Sequence, residues 1–475
     1  MLLLRYKNKW GKMSPAAKAS VVLIIVKFIE KGLSMITGPI FTRIMPIDQY
    51  GIVSTFTSWQ GILYIIATLN LSQGVFNNGM LDFREDRNVF CFSILCLANI
   101  FTLMWVIIYV LINHIFGNVI GLPFHLLVLM VCYFLFLPAY NFWMGRQRFE
   151  FKYKANAAVM IGVSLISTIV AIVAVLLVPS DMKSSAKIIG AESITILVGV
   201  FFYFFLLIKA KHKVRFEYWK YVLKFNLPLI PHYLSMYVLA SSDRIMISRI
   251  VNTSATAIYN VSYTVASIML IFWNSIDASY APWIYQKLES NNFSSIRKRG
   301  NQIITLFAGM TFLATLFAPE IIMVLAPKNY YDGIYVIPSV AAGVFFTALY
   351  SLYMRVELYL KESKFTMYAS VIAAATNLFL NFIFIPIYGM YAAGYTTLVC
   401  YIILSIGHYL ILKKLDRNDL YDNKFIVGIS LLIVLSSIFI SIIYKFNLLR
   451  YLLMSIILIV ILFKRKYVMK IIKNK

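Results

Sequence analysis

Long apolar stretches separated by short loops restrict this chain more than any other feature of its sequence. Fourteen of them have the length, about 20 residues, that a helix needs to cross the hydrocarbon core of a bilayer. Hydrophobic residues make up 61% of the 475 residues and charged residues 13%, which is about half the charged share of a soluble protein. The period-two alternation of a membrane β-barrel does not recur. The sequence therefore predicts an all-α polytopic membrane protein. The predicted spans are 20–44, 50–72, 89–112, 119–143, 156–178, 187–208, 222–248, 257–283, 301–326, 333–356, 366–387, 390–412, 425–443 and 448–463.

The distribution of lysine and arginine predicts the orientation of the chain. Of the 44 lysine and arginine residues, 33 lie in one alternate set of loops and termini, and seven lie in the opposite set. Basic residues accumulate on the cytoplasmic side of membrane proteins, so we expect both termini in the cytoplasm and an even number of spans. The formal net charge of +25 then reflects this bias and an attraction to anionic membrane lipids. Nucleic acid is not expected as a partner.

A weak internal repeat appears when the sequence is shifted by 206 residues. Residues 43–56 then fall on 249–262 without a gap, with Arg43 over Arg249. Two parallel six-helix lobes followed by two additional helices are therefore expected, and parallel repeats of this kind occur in transporters. The expected segments are a cytoplasmic N-terminal segment 1–19, a first lobe 20–208, a basic cytoplasmic linker 209–221, a second lobe 222–412, a cytoplasmic loop 413–424, two additional helices 425–463 and a basic cytoplasmic tail 464–475.

The first span carries three charged residues near the middle of its length: Lys27, Glu30 and Lys31. Spacings of three and four residues place them on one face of a helix. Charges inside a bilayer are costly and usually face a cavity or one another. One interpretation is that Glu30 neutralises one lysine and that the helix packs against its neighbours without binding a ligand. The interpretation we prefer is a cavity with net positive charge that binds an anion.

The apolar stretch 227–250 contains the adjacent pair Asp243 and Arg244. Counted from residue 222, the pair lies roughly 21 residues into a helix, near the outer interface. Adjacent helical positions point in directions about 100° apart, so each side chain is expected to have a different partner. Snorkelling to the interface and an outer gate that also includes Arg249 and Arg43 are both open interpretations.

Several other polar residues lie in or near the spans. Asp277 is expected to form a structural hydrogen bond, to pair with a cavity lysine, or to couple to a cation or a proton. For His232, which follows two prolines, a hydrogen bond to a freed backbone carbonyl is the favoured interpretation. Snorkelling accounts for three glutamates near span ends, namely Glu192, Glu320 and Glu357.

Motifs for nucleotide hydrolysis or covalent chemistry are missing from the sequence. It has no Walker motif, nucleophile elbow, HExxH or cysteine–histidine metal spacing. The four cysteines fall in apolar stretches and are interpreted as small hydrophobic residues. A transporter without a cofactor is therefore expected, and the choice of coupling ion, H⁺ or Na⁺, is left open.

The segment 225–269, FNLPLIPHYLSMYVLASSDRIMISRIVNTSATAIYNVSYTVASIM, resembles the central motif of bacterial polysaccharide flippases. These are the O-antigen and capsule type of the multidrug/oligosaccharidyl-lipid/polysaccharide exporter superfamily. The matching parts are the proline-rich 227–232, the Ser-Asp-Arg core 242–244 and the Ile-Tyr pair 258–259. GPIFTRIMPIDQYGIV, residues 38–53, is similar to the family's opening helix and turn.

The resemblance implies two six-helix lobes around a cationic cavity in the bacterial cytoplasmic (inner) membrane. It implies alternating access that moves an undecaprenyl-diphosphate-linked oligosaccharide to the outer leaflet, with polysaccharide polymerase machinery as a further partner. A diphosphate needs cations to replace its hydration. The candidate substrate-binding residues are Lys27, Lys31, Arg43, Arg244 and Arg249, and the candidate coupling or gating residues are Glu30, Asp243, Asp277 and His232.

Three other functions are weighed against this one. A peptidoglycan-precursor flippase would also have fourteen spans and a cationic cavity. A cation-coupled multidrug exporter of the same fold would favour an acidic cavity, which the charges of the first span oppose. A membrane-embedded polymerase or acyltransferase would need a catalytic loop that the sequence lacks.

Overall fold

The computed structural model describes residues 14–463, so the predictions for residues 1–13 and 464–475 lie outside the described residues. Within the described part the chain forms seventeen α-helices and four short 3₁₀ segments, and no strand. Contacts divide the chain into two compact units, the first ending at Tyr237 and the second beginning at Val238. The division therefore falls later in the chain than the predicted linker 209–221.

The first unit contains eight complete helices. They are α1 (Pro15–Ile44), α2 (Ile47–Thr68), α3 (Val75–Asp82), α4 (Arg87–Phe116), α5 (Phe124–Phe149), α6 (Tyr153–Leu177), α7 (Lys183–Lys209) and α8 (Phe216–Asn226). The next helix, α9 (Ile230–Ile250), contains the division between the units.

The second unit contains the remaining helices. They are α10 (Thr253–Glu289), α11 (Phe293–Leu316), α12 (Ala318–Leu325), α13 (Ile337–Tyr359), α14 (Ser363–Tyr388), α15 (Met390–Lys414), α16 (Asn423–Ile443) and α17 (Asn447–Phe463). Helix α16 packs against α11 and α13, so the two C-terminal helices belong to the same compact unit as the helices before them.

Each predicted span overlaps one of the long helices, and two short helices, α3 and α8, were not predicted. Nine helices of the described part are long and apolar enough to cross a membrane, or ten if α11 and α12 form one bent span. The chain is therefore a multi-pass membrane protein, while the count of fourteen spans stays a prediction. Helices α1 and α9 are not among these nine, because they contain charged and polar residues. These are the residues that the sequence analysis identified as candidates for a functional site.

Helix ends recur at the interval of the sequence repeat. Helix α1 ends at Ile44 and α9 ends at Ile250, while α2 begins at Ile47 and α10 begins at Thr253. Both intervals equal the 206-residue shift found in the sequence. The weak sequence match therefore marks the same helix–turn–helix element at two places in the chain.

Small residues allow close helix packing in the first unit. A Cβ atom on Gly199 of α7 would lie 2.6 Å from the backbone oxygen of Phe136 on α5. A Cβ atom on Gly190 would lie 3.0 Å from the Cα atom of Ala171 on α6. Helices in membranes gain van der Waals contact where small residues let their backbones approach. Gly199 therefore allows α7 to pack closely against α5, and Gly190 allows it to pack closely against α6.

Candidate functional site

Asp243 lies in the interior of the second unit. Its helix begins at Ile230, after a 3₁₀ turn at Leu227–Leu229, and not at residue 222 as predicted. Asp243 is therefore the fourteenth residue of 21 in α9, about 20 Å from the first residue of the helix at 1.5 Å per residue. Its side chain is 0% exposed. The predicted start of the helix was eight residues too early, and the place of Asp243 near the outer interface stays a prediction.

Three helices supply donors to the Asp243 carboxylate. One carboxylate oxygen, Oδ2, accepts hydrogen bonds from the Tyr259 hydroxyl at 2.5 Å and from the Thr397 hydroxyl at 2.8 Å. The other, Oδ1, accepts a hydrogen bond from the Asn381 amide at 2.6 Å. An ionised carboxylate inside a protein needs donors of this kind to offset its lost hydration. The three partners come from α10, α15 and α14, so Asp243 joins four helices of the unit.

A second layer of amides and hydroxyls surrounds these partners. Asn377 donates to the Thr397 hydroxyl at 3.1 Å, and its oxygen accepts from Ser242 at 3.2 Å and from Asn381 at 3.2 Å. Thr396 donates to the Asn381 side-chain oxygen. All of these residues are buried. We call this group the Asp243 cluster; its members are Ser242, Asp243, Tyr259, Asn377, Asn381, Thr396 and Thr397.

The Asp243 cluster has the chemistry of a site for a small monovalent cation. Carboxylate, amide and hydroxyl oxygens are the ligands that hard cations prefer. A half-rotation of the Asn377 or Asn381 amide exchanges the positions of its oxygen and nitrogen atoms, so either amide can present its oxygen to a cation. The Thr397 hydroxyl can rotate its hydrogen away from a cation and present its oxygen as well. The single carboxylate balances one positive charge. In the described residues no group of three or more histidine, cysteine, aspartate or glutamate side chains offers a site for a multivalent metal.

Arg244 has partners of its own, as predicted from helical geometry. Its Nε donates to the Asn260 side-chain oxygen at 2.7 Å, and its Nη1 donates to the backbone oxygen of Ala240 at 2.8 Å. The guanidinium also lies over the Tyr263 ring, 4.4 Å from the ring centroid. Arg244 is therefore held by α9 and α10, and its role in substrate binding stays a prediction.

Helix α1 presents two lysines from the middle of its length. Lys27 and Lys31 are exposed, whereas Glu30 is half-buried and accepts a hydrogen bond from Ser164 of α6 at 3.4 Å. Within residues 14–463 no ion pair joins Glu30 to either lysine. This contact pattern gives no support to the interpretation in which Glu30 neutralises a lysine on its own helix, and anion binding by the two lysines stays a prediction.

Asp277 pairs with an arginine and not with a lysine. Its carboxylate accepts two hydrogen bonds from the Arg355 guanidinium, one of them 2.8 Å long from Nε. Arg355 lies near the end of the predicted span 333–356, and α13 continues to Tyr359 and keeps it in the helix. Both side chains are half-buried. A bidentate arginine partner already compensates the charge of Asp277, which makes this carboxylate a weaker candidate for a cation site than Asp243.

Two glutamates near span ends do not snorkel. Glu357 is 0% exposed and forms an ion pair with His408, with 2.7 Å between Oε1 and Nδ1. Glu320 accepts two hydrogen bonds from Arg450, at 2.6 and 2.7 Å. Arg450, near the start of α17, is 1% exposed. Snorkelling was the wrong expectation for both acids because each has a basic partner contributed by a distant helix.

The other predicted site residues lie near helix ends. Arg43 and Arg249 are exposed close to the ends of α1 and α9, and Arg43 donates to the backbone oxygen of Pro39 at 2.9 Å. His232 lies in the first turn of α9, with its ring 6.0 Å from that of Tyr233. None of these three belongs to the Asp243 cluster, so their gating and binding roles stay predictions.

The members of the Asp243 cluster on α14 and α15 were missed in the sequence, although a signal was present. Asn377 and Asn381 are four residues apart in an otherwise apolar span, and Thr396 and Thr397 follow in the next one. A spacing of four places two amides on one helix face, and amides inside a bilayer seek polar partners.

A basic cluster lies at the turn between α5 and α6. Glu150 forms ion pairs with Arg146 at 2.7 Å and with Lys152 at 2.5 Å, and Arg87 lies 3.9 Å away. Burial alone would raise the pKa of Glu150, but the hydrogen bonds and charges of Lys152 and Arg146 outweigh it and hold the pKa below its ordinary value. This acid therefore stays ionised and holds together three cations from the start of α4, the last turn of α5 and the turn before α6.

An apolar cavity of about 420 Å³ lies in the second unit between α13, α15 and α16. Its lining residues include Phe346, Leu349, Ile402 and Ile426. Apolar walls suit a hydrocarbon chain and exclude a charged headgroup. A diphosphate therefore has no partner here.

The sequence is similar to a known protein family and to a membrane protein. The sequence profile of the family described as "Polysaccharide biosynthesis protein" matches residues 16–288. An uncharacterized membrane protein of Methanocaldococcus jannaschii is 24% identical over 240 residues, which cover 46% of this chain and 57% of that protein. The match thus spans little more than half of this relative's length.

Solved structures with the same fold are transporters. A lipid II flippase, MurJ in an inward closed conformation, is similar over 94% of this chain and 100% of its own, with a TM-score of 0.65 and 16% identity. An inward-facing MATE family multidrug resistance transporter of the MOP superfamily is similar over 84% of this chain and 99% of its own, with a TM-score of 0.60 and 14% identity. At these identities the similarity shows the fold.

Proposed function

Because the chain belongs to the polysaccharide biosynthesis protein family, we propose that it is a flippase for lipid-linked oligosaccharides. In this proposal it moves an undecaprenyl-diphosphate-linked repeat unit from the inner to the outer leaflet of the bacterial cytoplasmic membrane, for surface polysaccharide synthesis. Both termini lie in the cytoplasm, and the fold it shares with solved transporters supports alternating access.

The lysines of α1 are the observation that carries the proposal. Lys27 and Lys31 are exposed near the middle of a 30-residue helix, and Glu30 does not pair with them in the described structure. Two uncompensated ammonium groups at this depth are expensive unless they bind an anion. A diphosphate provides that anion and forms strong charge-assisted hydrogen bonds, while its polyprenyl chain stays in the lipid.

The Asp243 cluster is proposed as the site of the coupling ion, with Na⁺ as the ion that its oxygen atoms suit best. Among the three candidate acids, Asp277 is paired with Arg355 and Glu30 lies beside two lysines on α1. Asp243 is surrounded by neutral amides and hydroxyls from three other helices. Binding a cation there draws four helices together, which offers a route from ion binding to conformational change.

A flippase for the peptidoglycan-precursor lipid is the second candidate, since its diphosphate would need the same cations. A multidrug exporter is disfavoured, because two exposed lysines repel cationic drugs. Lipid analysis of a deletion strain separates these functions. The proposal predicts that undecaprenyl-linked oligosaccharide repeat units accumulate on the inner leaflet and that surface polysaccharide is lost. Accumulation of peptidoglycan precursor alone would favour the second candidate, and unchanged lipid pools would refute both.

A further inference from the structure

Glu357 and His408 form an isolated acid–base pair in the interior of the second unit. Glu357 on α13 is 0% exposed and His408 on α15 is 1% exposed, with Oε1 and Nδ1 2.7 Å apart. The second oxygen of Glu357 accepts a hydrogen bond from Thr366 of α14 at 3.1 Å. Three helices therefore enclose this carboxylate and imidazole. Neither the proposed cation site at Asp243 nor the proposed anion site at the lysines of α1 includes them.

A buried pair of this kind holds one exchangeable proton. With that proton the pair is neutral overall, whether it is written as carboxylate and imidazolium or as acid and imidazole. Without it, one negative charge is left in a site that water does not reach, and burial of an uncompensated charge is costly. The two states differ by one full charge, which is what a proton-binding site requires.

A row of tyrosines leads from this pair toward the Asp243 cluster. The Tyr350 ring stacks on the His408 ring, with 5.5 Å between centroids and 15° between planes. Tyr401 stacks on Tyr350 at 6.4 Å and 6°. Tyr401 lies close enough to Tyr263 to interact with it electrostatically, and Tyr263 lies under the Arg244 guanidinium. The row thus ends at the residue next to Asp243.

Other titratable and charged side chains flank the pair without joining it. Arg355, on the same helix, is held by Asp277, and the Tyr280 and Tyr421 hydroxyls are hydrogen-bonded to each other at 3.1 Å. The elements packed against α13 also carry other charged and titratable residues, namely Asp277 and Tyr280 of α10, Arg299 of α11, Lys364 of α14, Tyr353 and Arg355 of α13 itself, Tyr409 and Lys414 of α15, Tyr421 of the turn before α16, and Lys424 of α16.

We infer that Glu357 and His408 form a proton-binding site and that the tyrosine row couples its occupancy to the Asp243 cluster. Glu357 and His408 lie two and six residues before the ends of their helices, on the side predicted to be cytoplasmic. The proton is exchanged with the cytoplasm, so the pair senses cytoplasmic pH. The coupling to transport rests on the proposed function, whereas proton binding by the pair does not.

Nitrogen NMR of the histidine rings tests proton binding directly. The chain contains five histidines, so ¹⁵N-histidine labelling of the purified full chain gives few signals. His408→Gln assigns its signal; if that variant does not fold, substitution of His114, His125, His212 and His232 assigns it by elimination. The inference predicts that the His408 ring signals change between pH 5 and 9 and that Glu357→Gln alters this change. A signal that is constant with pH in the wild-type protein would overturn it.

The pH dependence of flipping tests the coupling. In proteoliposomes the wild-type rate is expected to change about fivefold or more with pH on the cytoplasmic face, the size of a typical coupling between sites. Glu357→Gln should flip lipid at a rate that no longer depends on this pH, and Tyr409→Phe, a hydroxyl removal on the same helix as His408, should keep the wild-type response. A pair that only holds helices together would lower stability and leave the pH response intact, which would overturn the coupling. Absence of flipping by the wild-type chain would refute the proposed function and leave the NMR result standing.

Discussion

Replacement of Asp243 by asparagine separates the proposed cation site from a purely structural polar cluster. The amide has nearly the shape of the carboxylate, so the interior of the second unit stays filled. Tyr259 and Thr397 can rotate their hydroxyls to match an amide nitrogen, and the Asn381 amide can turn over. The expected change in fold is therefore small, while the negative charge that would balance a cation is lost.

The size of the effect follows from electrostatics. One unit charge about 4 Å from a bound cation contributes roughly 4 kcal/mol at an effective dielectric constant of about 20. Its removal weakens cation binding about a thousandfold. Sodium at a hundred times its dissociation constant should raise the free energy of unfolding of the wild-type protein by about 2.7 kcal/mol, and the same concentration should leave Asp243→Asn almost unaffected.

Thermal unfolding of the purified protein in sodium chloride, compared with choline chloride at equal ionic strength, measures this effect. Asp277→Asn is the matched control, because it makes the same chemical change in the same unit outside the Asp243 cluster. We expect the control to have a lower Tm, since Arg355 loses its partner, but to keep the wild-type response to sodium. Equal stabilisation of Asp243→Asn and the wild-type protein by sodium would refute the assignment of the ion site.

Four further substitutions test other parts of the structure. Lys27→Ala and Lys31→Ala should abolish complementation of a deletion strain at normal protein abundance, because both side chains are exposed and are proposed to bind the diphosphate of the substrate; full complementation by both would contradict the anion site. Arg450→Ala should cost about 3 kcal/mol of stability, since it leaves Glu320 without its bidentate partner, and an unchanged Tm would count against this ion pair. Because its folded pKa is lowered, Glu150 contributes stability above its unfolded pKa of about 4.3, and this contribution is lost as the pH falls below that value. Glu150→Gln should therefore lose less stability than the wild-type protein between about pH 5 and pH 3, and identical pH profiles would contradict the ion cluster.

The helices show which parts of the structure can be predicted from the sequence. Apolar stretches mark the long helices because lipid requires a continuous apolar surface and internally satisfied backbone groups. The 206-residue shift even matches the ends of α1 and α9. Helix α8 was missed because its 11 residues mix charged and aromatic side chains, and that error displaced the predicted start of α9.

The pairings between helices could not be predicted in the same way. Glu357 and His408 are 51 residues apart, and Glu320 and Arg450 are 130 residues apart. Which acid meets which base depends on how the helices pack, and no local pattern records it. Lys27, Glu30 and Lys31 were identified correctly as one turn of one helix, because that relation is local.

Transport of the lipid by the purified protein tests the central claim most directly. Proteoliposomes that contain an undecaprenyl-diphosphate-linked oligosaccharide on one leaflet can be assayed by the access of an added glycosidase to the sugar. We expect the wild-type chain to move the lipid, an opposing sodium gradient to accelerate it, and the Lys27→Ala/Lys31→Ala double variant to be inactive. A lipid that stays in its leaflet with the wild-type protein, or that moves equally fast with the double variant, would contradict the proposed function.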